Sequence, residues 1–262
     1  ILGISAYHLL RKKDVDFFTR SFKLAAVSGL IAVLLVMLIG HSQAQQVTRL
    51  QPMKIAAAEA LWEDADPAGL SIIAFIDEAA RANTVDLRVP YLLSFLALNS
   101  FEGEVLGINT LQTQFEQQYE AGVNYTPPVT VLYWSFRAMV GAGLLMFLVA
   151  ALLVFFILRK RQTPGLLLKV LPFLIALPYL ANTTGWILTE MGRQPWIVYG
   201  RLLTRDAVSP FVEPGTVLIS LIGFLLIYGL LMVVDVYLLA KFAKAGPDLP
   251  QDAHRHSAAE QA

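Results

Sequence analysis

Four stretches of this chain are densely apolar and contain none or almost none of the ionisable residues Asp, Glu, Lys and Arg. Each has a core near the ~20 residues that an α-helix needs to cross a bilayer. Helices in the core of a water-soluble protein keep one polar face, and these stretches do not. Since backbone polar groups must bond internally in lipid, the pattern predicts membrane-spanning helices at four places: residues 24–40, 131–158, 170–190 and 214–240.

A fifth apolar run, residues 1–10, has half the required length, and the chain enters it at Ile1. The basic start and small-residue cleavage site of a signal peptide are not found there. We therefore interpret the run as part of a transmembrane helix, and the sequence as the C-terminal fragment of a longer membrane protein. The predicted fold class is an all-α polytopic membrane protein with four full transmembrane helices, a partial one and a large extracytoplasmic loop.

Basic residues in the connections predict the orientation of the spans, because cytoplasmic loops are enriched in Lys and Arg. The first short connection carries five bases and the second carries four with no acid, whereas the long connection carries four bases against eleven acids. The predicted cytoplasmic parts are a loop at 11–23, a loop at 159–169 and a disordered tail at 241–262. The predicted extracytoplasmic parts are residues 41–130 and residues 191–213.

Composition narrows the function. The chain has 56% hydrophobic and 15% charged residues, zero net charge and no cysteine. This excludes disorder, a disulfide framework and cysteine-ligated metals, and it gives nucleic acid no net positive charge to bind. His254 and His256 in the tail could bind a metal ion, but a solvated tail is the favoured interpretation.

Ionisable and sulfur-bearing residues mark two places near the outer ends of the spans, where functional groups in membrane proteins are expected. Arg137 and Met139 lie near the start of the span at 131–158, which follows the long connection, and Trp186, Glu190 and Arg193 share one helical face at the end of the next span. Structural roles stay open for them, because tryptophan anchors interfaces, arginine snorkels and methionine packs. The long connection is itself rich in helix-favouring and apolar runs, and a structured loop of this length is usually functional.

Motifs in four places resemble subunit I of the cytochrome bd-type quinol oxidases. The sequence EMGRQPW at residues 190–196 resembles the family's signature, and QPMKIAAAEA at residues 51–60 resembles the start of its quinol-binding loop. Residues 136–139 resemble its haem-ligand segment, and residues 241–247 resemble the end of its last helix. The resemblance runs nearly from Ile1 to Pro247, and the chain would cover the end of the fifth helix and the sixth to ninth.

The resemblance implies haem roles residue by residue. Met139 matches an axial ligand of a low-spin haem b, and a neutral thioether raises the potential of haem iron. Glu190 matches the ligand of a high-spin haem b, and Trp186 matches an aromatic between the two haems of the oxygen site. Arg137 and Arg193 match arginines that neutralise haem carboxylates or stabilise reduced haem, which suits guanidinium geometry.

The third haem would be haem d or another haem b, with its ligand upstream of this sequence. The histidine partner of Met139 would also lie upstream, so His8 and His41 are not expected to be haem ligands. We expect the fragment alone to be inactive.

Lys54 and Glu59 match residues of the family that are needed for quinol oxidation. They are five positions apart, so on a continuous helix they would point about 140° apart and would meet different partners. Glu59 would accept a quinol proton and pass it outside. The alternative for both residues is a solvated helix in an acidic loop.

The resemblance implies a terminal oxidase in the bacterial or archaeal cytoplasmic membrane that oxidises ubiquinol or menaquinol outside and reduces dioxygen to water without a separate pump. Its expected partners are subunit II, small accessory subunits and the lipid bilayer. Asp235 could serve a proton route from the cytoplasm or could face a neighbouring helix. The alternative class is a transporter or non-catalytic scaffold in which Glu190 and Arg193 form an ion pair, although no transporter-like repeat is found.

Overall fold

The structure, a computed structural model, describes residues 1–247. The predicted tail at 241–262 lies mostly outside the described residues, and His254 and His256 lie wholly outside them. The chain is mostly helical, which confirms the predicted class. The α-helices of the described part are α1 (Leu2–Leu10), α2 (Val15–Leu50), α3 (Pro52–Ala58), α4 (Leu92–Leu98), α5 (Ile108–Gln118), α6 (Val129–Leu158), α7 (Gly165–Val170), α8 (Ala176–Met191) and α9 (Pro214–Ala245).

Three helices in the described part are long and apolar enough to cross a membrane, namely α2, α6 and α9, with 36, 30 and 32 residues. They contain the predicted spans at 24–40, 131–158 and 214–240. Helix α2 is longer than a bilayer requires, because 36 residues at 1.5 Å each extend about 54 Å against a hydrocarbon core of about 30 Å. The excess length carries α2 beyond the predicted span to Leu50, and α3 begins two residues later, at Pro52.

The predicted span at residues 170–190 is not one continuous helix, and that detail of the prediction is wrong. Helix α7 ends at Val170, a 3-10 turn covers Phe173–Ile175, and α8 follows with 16 residues. Pro172 lies at the break, and proline inside a helix removes one backbone hydrogen bond and clashes with the preceding turn. Pro178 lies within the first turn of α8, where proline is tolerated because the N–H groups there have no intrahelical partner.

The long connection before α6 is folded. Two antiparallel strands, β1 (Leu70–Asp77) and β2 (Ala82–Val89), form a hairpin between α3 and α4. The short connection after α8 adds a second small hairpin, β3 (Trp196–Val198) with β4 (Leu202–Leu203). Sequence reasoning missed both, although the first has the expected signal of two β-branched and aromatic runs around a short polar turn.

Both connections pack together as one body on the first turns of α6. We call this body the cap and define it as residues 51–128 and 192–206. Its core contains Met53 of α3, Ile108 and Phe115 of α5, and Trp196 and Leu203 of the second hairpin, all buried in one cluster with Val129, Leu132 and Tyr133 of α6. A second cluster joins α1, α2, α6 and α7 farther along the helices. The cap is therefore fixed to the same end of α6 that carries the candidate residues.

Candidate functional site

Glu59 and Arg137 form a buried ion pair that joins the cap to α6. A guanidinium nitrogen of Arg137 lies 2.8 Å from Oε2 of Glu59, and the two side chains are 13% and 2% exposed. The backbone N–H of Ser71 on β1 donates to the same carboxylate oxygen at 3.0 Å. The solvated alternative for Glu59 is therefore wrong, because water is replaced here by a cation and an amide.

Arg137 is committed to the cap through further contacts. It donates to the backbone carbonyl of Ala58 at 2.6 Å and to the carbonyl of Ser71. Its guanidinium lies over the ring of Tyr133, 4.0 Å from the centroid, in cation–π geometry. The resemblance implies a haem-carboxylate role for Arg137, and in the structure its guanidinium contacts Glu59 and the two carbonyls.

The end of α3 sets the position of Glu59. The helix ends at Ala58, and Ala60 has a φ of 45°, so the chain turns away at Glu59 instead of continuing to Trp62. Arg88 of β2 holds this turn by donating to the carbonyls of Glu59 and Ala60, each at 3.2 Å. Burial raises the pKa of the Glu59 carboxyl, and the charge and hydrogen bond of Arg137, with smaller help from Ser71 and Arg88, oppose that rise.

Lys54 meets partners different from those of Glu59, in keeping with their separation around α3. Its Nζ donates to the carbonyl of Thr189 at 3.3 Å, near the end of α8. A Cβ on Gly192 would lie 2.9 Å from Cγ of Lys54, so this glycine makes room for the lysine stem. Burial and the charge of Arg193 lower the pKa of Lys54, and the charge of Glu190 opposes them.

Trp186 and Glu190 lie four positions apart near the end of α8, and Arg193 follows in the turn after the helix ends at Met191. Arg193 and Glu190 form an ion pair at positions i and i+3, and both side chains are partly exposed. Trp186 is 66% exposed. The Nε atom of Arg193 is buried without a hydrogen-bond partner among the described residues. The end of α8 and the turn after it thus present an aromatic ring, a carboxylate and a guanidinium near one another.

Met139 faces α8 from α6. A Cβ on Gly185 would lie 3.0 Å from Sδ of Met139, so the thioether occupies space that only a glycine leaves open on α8. Helices α6 and α8 form the most extensive helix–helix contact in the described part of the chain. The two predicted haem-ligand segments are therefore neighbours in space.

Asp235 lies apart from these residues. It is exposed on α9 and lines an open apolar groove of about 420 Å³ between α9 and the start of the chain, with Phe17, Phe18 and Phe242. The end of α9 is held there by His8, whose Nε2 donates to the carbonyl of Ala243 at 2.8 Å. His8 stacks on Phe18 and is fully buried, which is a structural role for it.

The side chains of Met139 and Glu190 have chemical groups that could bind haem iron. Met139 offers a thioether, which is an axial ligand of iron in some haem proteins, and Glu190 offers a partly exposed carboxylate oxygen. The ring of Trp186 is exposed four positions before Glu190, and Arg193, which pairs with Glu190, has its Nε buried without a hydrogen-bond partner among the described residues. A flat cofactor with carboxylate side groups would find an aromatic ring for its flat face and a guanidinium for its carboxylates here.

Ser71, Arg88 and Tyr133 are site residues that sequence reasoning missed. Each contacts Glu59 or Arg137 directly or supports a residue that does, and none carries a local motif. Trp196 of the signature segment also has a structural role, since it stacks on Tyr125 with ring centroids 5.4 Å apart and closes the core of the cap.

The fold and the site define a polytopic helical membrane protein whose folded cap is joined by a buried ion pair to a span carrying a thioether, next to a helix end carrying a carboxylate. A sequence model described as cytochrome bd terminal oxidase subunit I matches residues 1–247. The chain belongs to this family, which confirms the resemblance found in its motifs.

Relatives agree with the assignment. The chain is 45% identical over 250 residues to the cytochrome bd ubiquinol oxidase subunit 1 of Bacillus subtilis, covering 95% of this chain and 53% of that protein. It is 29% identical over 308 residues to the cytochrome bd-II ubiquinol oxidase subunit 1 of Escherichia coli, covering 96% of this chain and 60% of that protein. The chain thus spans somewhat more than half the length of these relatives.

A solved structure supports the fold. The bd oxidase from Geobacillus thermodenitrificans matches with a TM-score of 0.78 at 25% sequence identity, covering 94% of this chain and 54% of that chain. The overall fold of the chain is therefore similar to that of a bd oxidase.

Proposed function

We propose that this chain forms the cap and the haem-bearing helices of a respiratory oxidase subunit that oxidises membrane quinol and reduces dioxygen to water. The observation that carries the proposal is the buried Glu59–Arg137 pair. It brings a carboxylate of the cap, which can accept a proton, into contact with α6, the helix that bears Met139. Family membership supplies the reaction class, and the relatives named above are ubiquinol oxidases.

Glu59 is the base in this proposal. Its carboxylate is buried, so a quinol hydroxyl bound beside it would donate its proton to a base that burial has strengthened. Arg137 holds the carboxylate in place and balances its charge before the proton arrives. Lys54 lies on the other side of α3 and would bind the quinol or its product separately.

Met139 and Glu190 would hold the iron of the low-spin and the high-spin haem b, and the full-length protein would bind a third haem, haem d or haem b. Bound haem would supply one-electron acceptors for quinol and a site for dioxygen. Arg193 and Trp186 would contact haem at the α8 face, and the exposed ring of Trp186 is available for that contact. Arg137 would act on the haem electrostatically, since its hydrogen bonds are given to the cap.

We place the protein in a bacterial or archaeal cytoplasmic membrane, with the cap outside and the end of α9 inside. The unequal distribution of basic residues supports this orientation, because the two short connections carry the net positive charge. Protons would be released outside and taken from the cytoplasm without a pump, with Asp235 near the proposed entry side. Subunit II and small accessory subunits are the proposed partners, and the fragment alone would be inactive.

The transporter or scaffold alternative rests on the Glu190–Arg193 ion pair, which the structure does contain. Both side chains of this pair are partly exposed among the described residues, and the pair is formed between neighbours three positions apart at the end of α8. The exposure leaves an oxygen of Glu190 available to a ligand, which favours the oxidase.

Quinol-dependent oxygen uptake by the full-length assembled oxidase tests the proposal. Glu59→Gln should lower kcat by about 10²-fold or more, the contribution typical of a positioned proton acceptor. Glu104→Gln, which neutralises an exposed acid of the same cap, should leave kcat unchanged. A Glu59→Gln oxidase with full activity would reject the proposed role of the cap.

A further inference from the structure

Arg88 of the first hairpin binds the backbone on both sides of the turn that carries Glu59. Its terminal nitrogens donate to the carbonyls of Glu59 and Ala60, each at 3.2 Å, and to the carbonyl of Gly69 at 3.2 Å. Its Nε donates to Oδ2 of Asp86 at 2.8 Å, and the side chain is 23% exposed. Arg88 thus joins the end of α3 to the residue before β1 and to its own strand β2.

The carbonyls at the end of α3 need such donors. The last carbonyls of a helix have no intrahelical partner, and arginine side chains can satisfy them. Arg137 donates to the carbonyl of Ala58, and Arg88 donates to the next two carbonyls along the chain. Ala60 has a φ of 45°, a left-handed conformation that residues with a Cβ rarely adopt and that persists only where neighbouring contacts impose it. The bonds from Arg88 supply contacts of this kind.

This turn determines where the carboxylate of Glu59 lies. Arg88 binds the backbone of Glu59, whereas Arg137 and the N–H of Ser71 bind Oε2 of its carboxylate, at 2.8 Å and 3.0 Å. Glu59 is therefore held between two guanidinium groups, one on its backbone and one on its side chain. A change in the backbone contact would move the carboxylate relative to α6.

Asp86 orients Arg88 for this task. Its Oδ2 accepts from Nε of Arg88 and from Asn83 at 2.7 Å, and its Oδ1 accepts from the hydroxyl of Ser71 at 2.9 Å. Because a guanidinium is a rigid planar fork, a bond at Nε fixes the direction of the two terminal nitrogens. Asn83 also donates to the carbonyl of Ala60 at 2.9 Å, so the hairpin holds the turn through two side chains.

The charge of Arg88 acts on Glu59 as well. Burial raises the pKa of the Glu59 carboxyl, and the positive charges of Arg137 and, to a smaller extent, Arg88 lower it. The charged or titratable side chains around Glu59 come from three elements: Arg137 and Tyr133 of α6, Arg88 and Asp86 of β2, and Lys54 of α3, whose Nζ binds the carbonyl of Thr189. Loss of Arg88 would therefore remove one of the cations that keep the carboxylate ionised.

We propose that Arg88 is a positioning residue for quinol oxidation, which holds the turn after α3 so that Glu59 presents its carboxylate beside Arg137, where it accepts the quinol proton. This inference rests on the proposed function of Glu59, because Arg88 acts on the reaction through that residue. Without the bonds from Arg88, the turn at Ala60 loses two of its donors and the carboxylate moves away from Arg137.

The pH profile of quinol-dependent oxygen uptake by the full-length oxidase, with its haem content checked spectroscopically, provides the test. Arg88→Gln should lower the maximal kcat by about tenfold to 10²-fold, the cost of misplacing a reacting group by about 1 Å. It should also move the acid limb to higher pH, because a cation that lowers the pKa of Glu59 is lost. Arg88→Lys keeps the charge but not the planar fork, so its acid limb should stay at the wild-type pH while its kcat stays below the wild-type value. Arg81→Gln removes an exposed arginine of the same hairpin and should change neither quantity.

The outcomes separate the two proposals. A wild-type kcat or a wild-type acid limb in Arg88→Gln overturns the positioning role, and an inactive Glu59→Gln then leaves the function of Glu59 standing. If Glu59→Gln keeps full activity, the proposed function itself fails. If Arg88→Gln does not assemble with haem, Arg88→Lys decides: a lowered kcat with an unmoved acid limb supports the positioning role, and a wild-type kcat overturns it.

Discussion

Single residues acquire their properties here from what surrounds them. Glu59 is one of eleven acids in the long connection, and by its sequence alone it resembles the others. The turn after Ala58 and the contacts of Arg88 place it inside the cap, against Arg137. The same residue type on an open helix would be a solvated charge, so the neighbours create the proposed base.

The raised pKa of Glu59 predicts the pH dependence of quinol oxidation. A proton acceptor must be ionised, and Glu59 loses its proton at a higher pH than the ordinary value of 4.5. Activity should therefore fall as pH decreases through this raised pKa, an acid limb that lies above the one expected for a free glutamate. The measurement is the pH profile of kcat for quinol-dependent oxygen uptake. Glu59→Asp should keep an acid limb and Glu59→Gln should lose it; a limb that persists in Glu59→Gln would assign it to another group.

Arg137→Ala should destabilise the protein strongly. Removing one partner of a buried pair leaves the other charge without compensation, at a cost of about 3–5 kcal/mol. Arg205→Ala is the matched control, because its pair with Glu120 is exposed on the surface and should contribute little. Thermal loss of the haem absorbance in the full-length oxidase measures the difference. Equal unfolding temperatures for the two variants would contradict the predicted contribution of Arg137 to the stability of the protein.

Among the elements, α8 brings the two proposed ligand segments together. Helix α8 is short because the helical run is interrupted near Pro172, so α8 itself starts only at Ala176. Its last turns lie against α6 and the cap. Glycines form this contact surface: Gly185 admits Met139, and Gly192 admits Lys54. The packing of α8 therefore determines where both side chains lie.

Gly185→Ala should disturb Met139 selectively. The new Cβ would lie 3.0 Å from Sδ of Met139, closer than ordinary van der Waals contact, so the thioether must shift. The low-spin haem signal of the full-length protein should change in position or intensity. Gly143→Ala on α6 has open space around the new Cβ and should leave the spectrum unchanged. Identical spectra for the two variants would show that Met139 is not held by this contact.

The elements differ in how well their sequence predicts them. The helices α2, α6 and α9 follow from apolar length alone, because a bilayer demands about 20 apolar residues regardless of tertiary contacts. The predicted continuous helix at 170–190 is wrong because its apolar length does not reveal the break at Pro172, between the end of α7 at Val170 and the 3-10 turn at Phe173–Ile175. The β1–β2 hairpin was missed because β1 has no regular alternation of apolar and polar residues, although its residue types favour a strand and β2 alternates over residues 85–89.

Over the whole molecule, the two outer connections form a single body although more than 60 residues of helix and loop separate them. Two of the four motifs that carry the family resemblance lie wholly or mostly on these connections, at residues 51–60 and 190–196. The sequence could name Glu59 and Arg137 through that resemblance, but it could not show that they touch. Their contact joins positions 78 apart, and such a pairing follows from the packing of the cap on α6 and from no local pattern.

The zero net charge of the chain is also a property of the whole molecule. Positive short connections and a negative long connection cancel, and the cap contains the acidic share. Most of that acid is exposed, and Glu59 is the acid among the described residues that lies fully inside. The zero net charge thus hides an unequal distribution of charge among the connections.

The most direct test of the account is a quinol-reduced minus oxidised optical spectrum of the full-length oxidase in detergent, recorded for the wild type, Met139→Leu and the control Met146→Leu on the same helix. We predict haem bands in the wild type, selective loss of the low-spin haem b band in Met139→Leu, and a wild-type spectrum in Met146→Leu. A wild-type protein without haem bands, or a Met139→Leu spectrum identical to that of the wild type, would contradict the account.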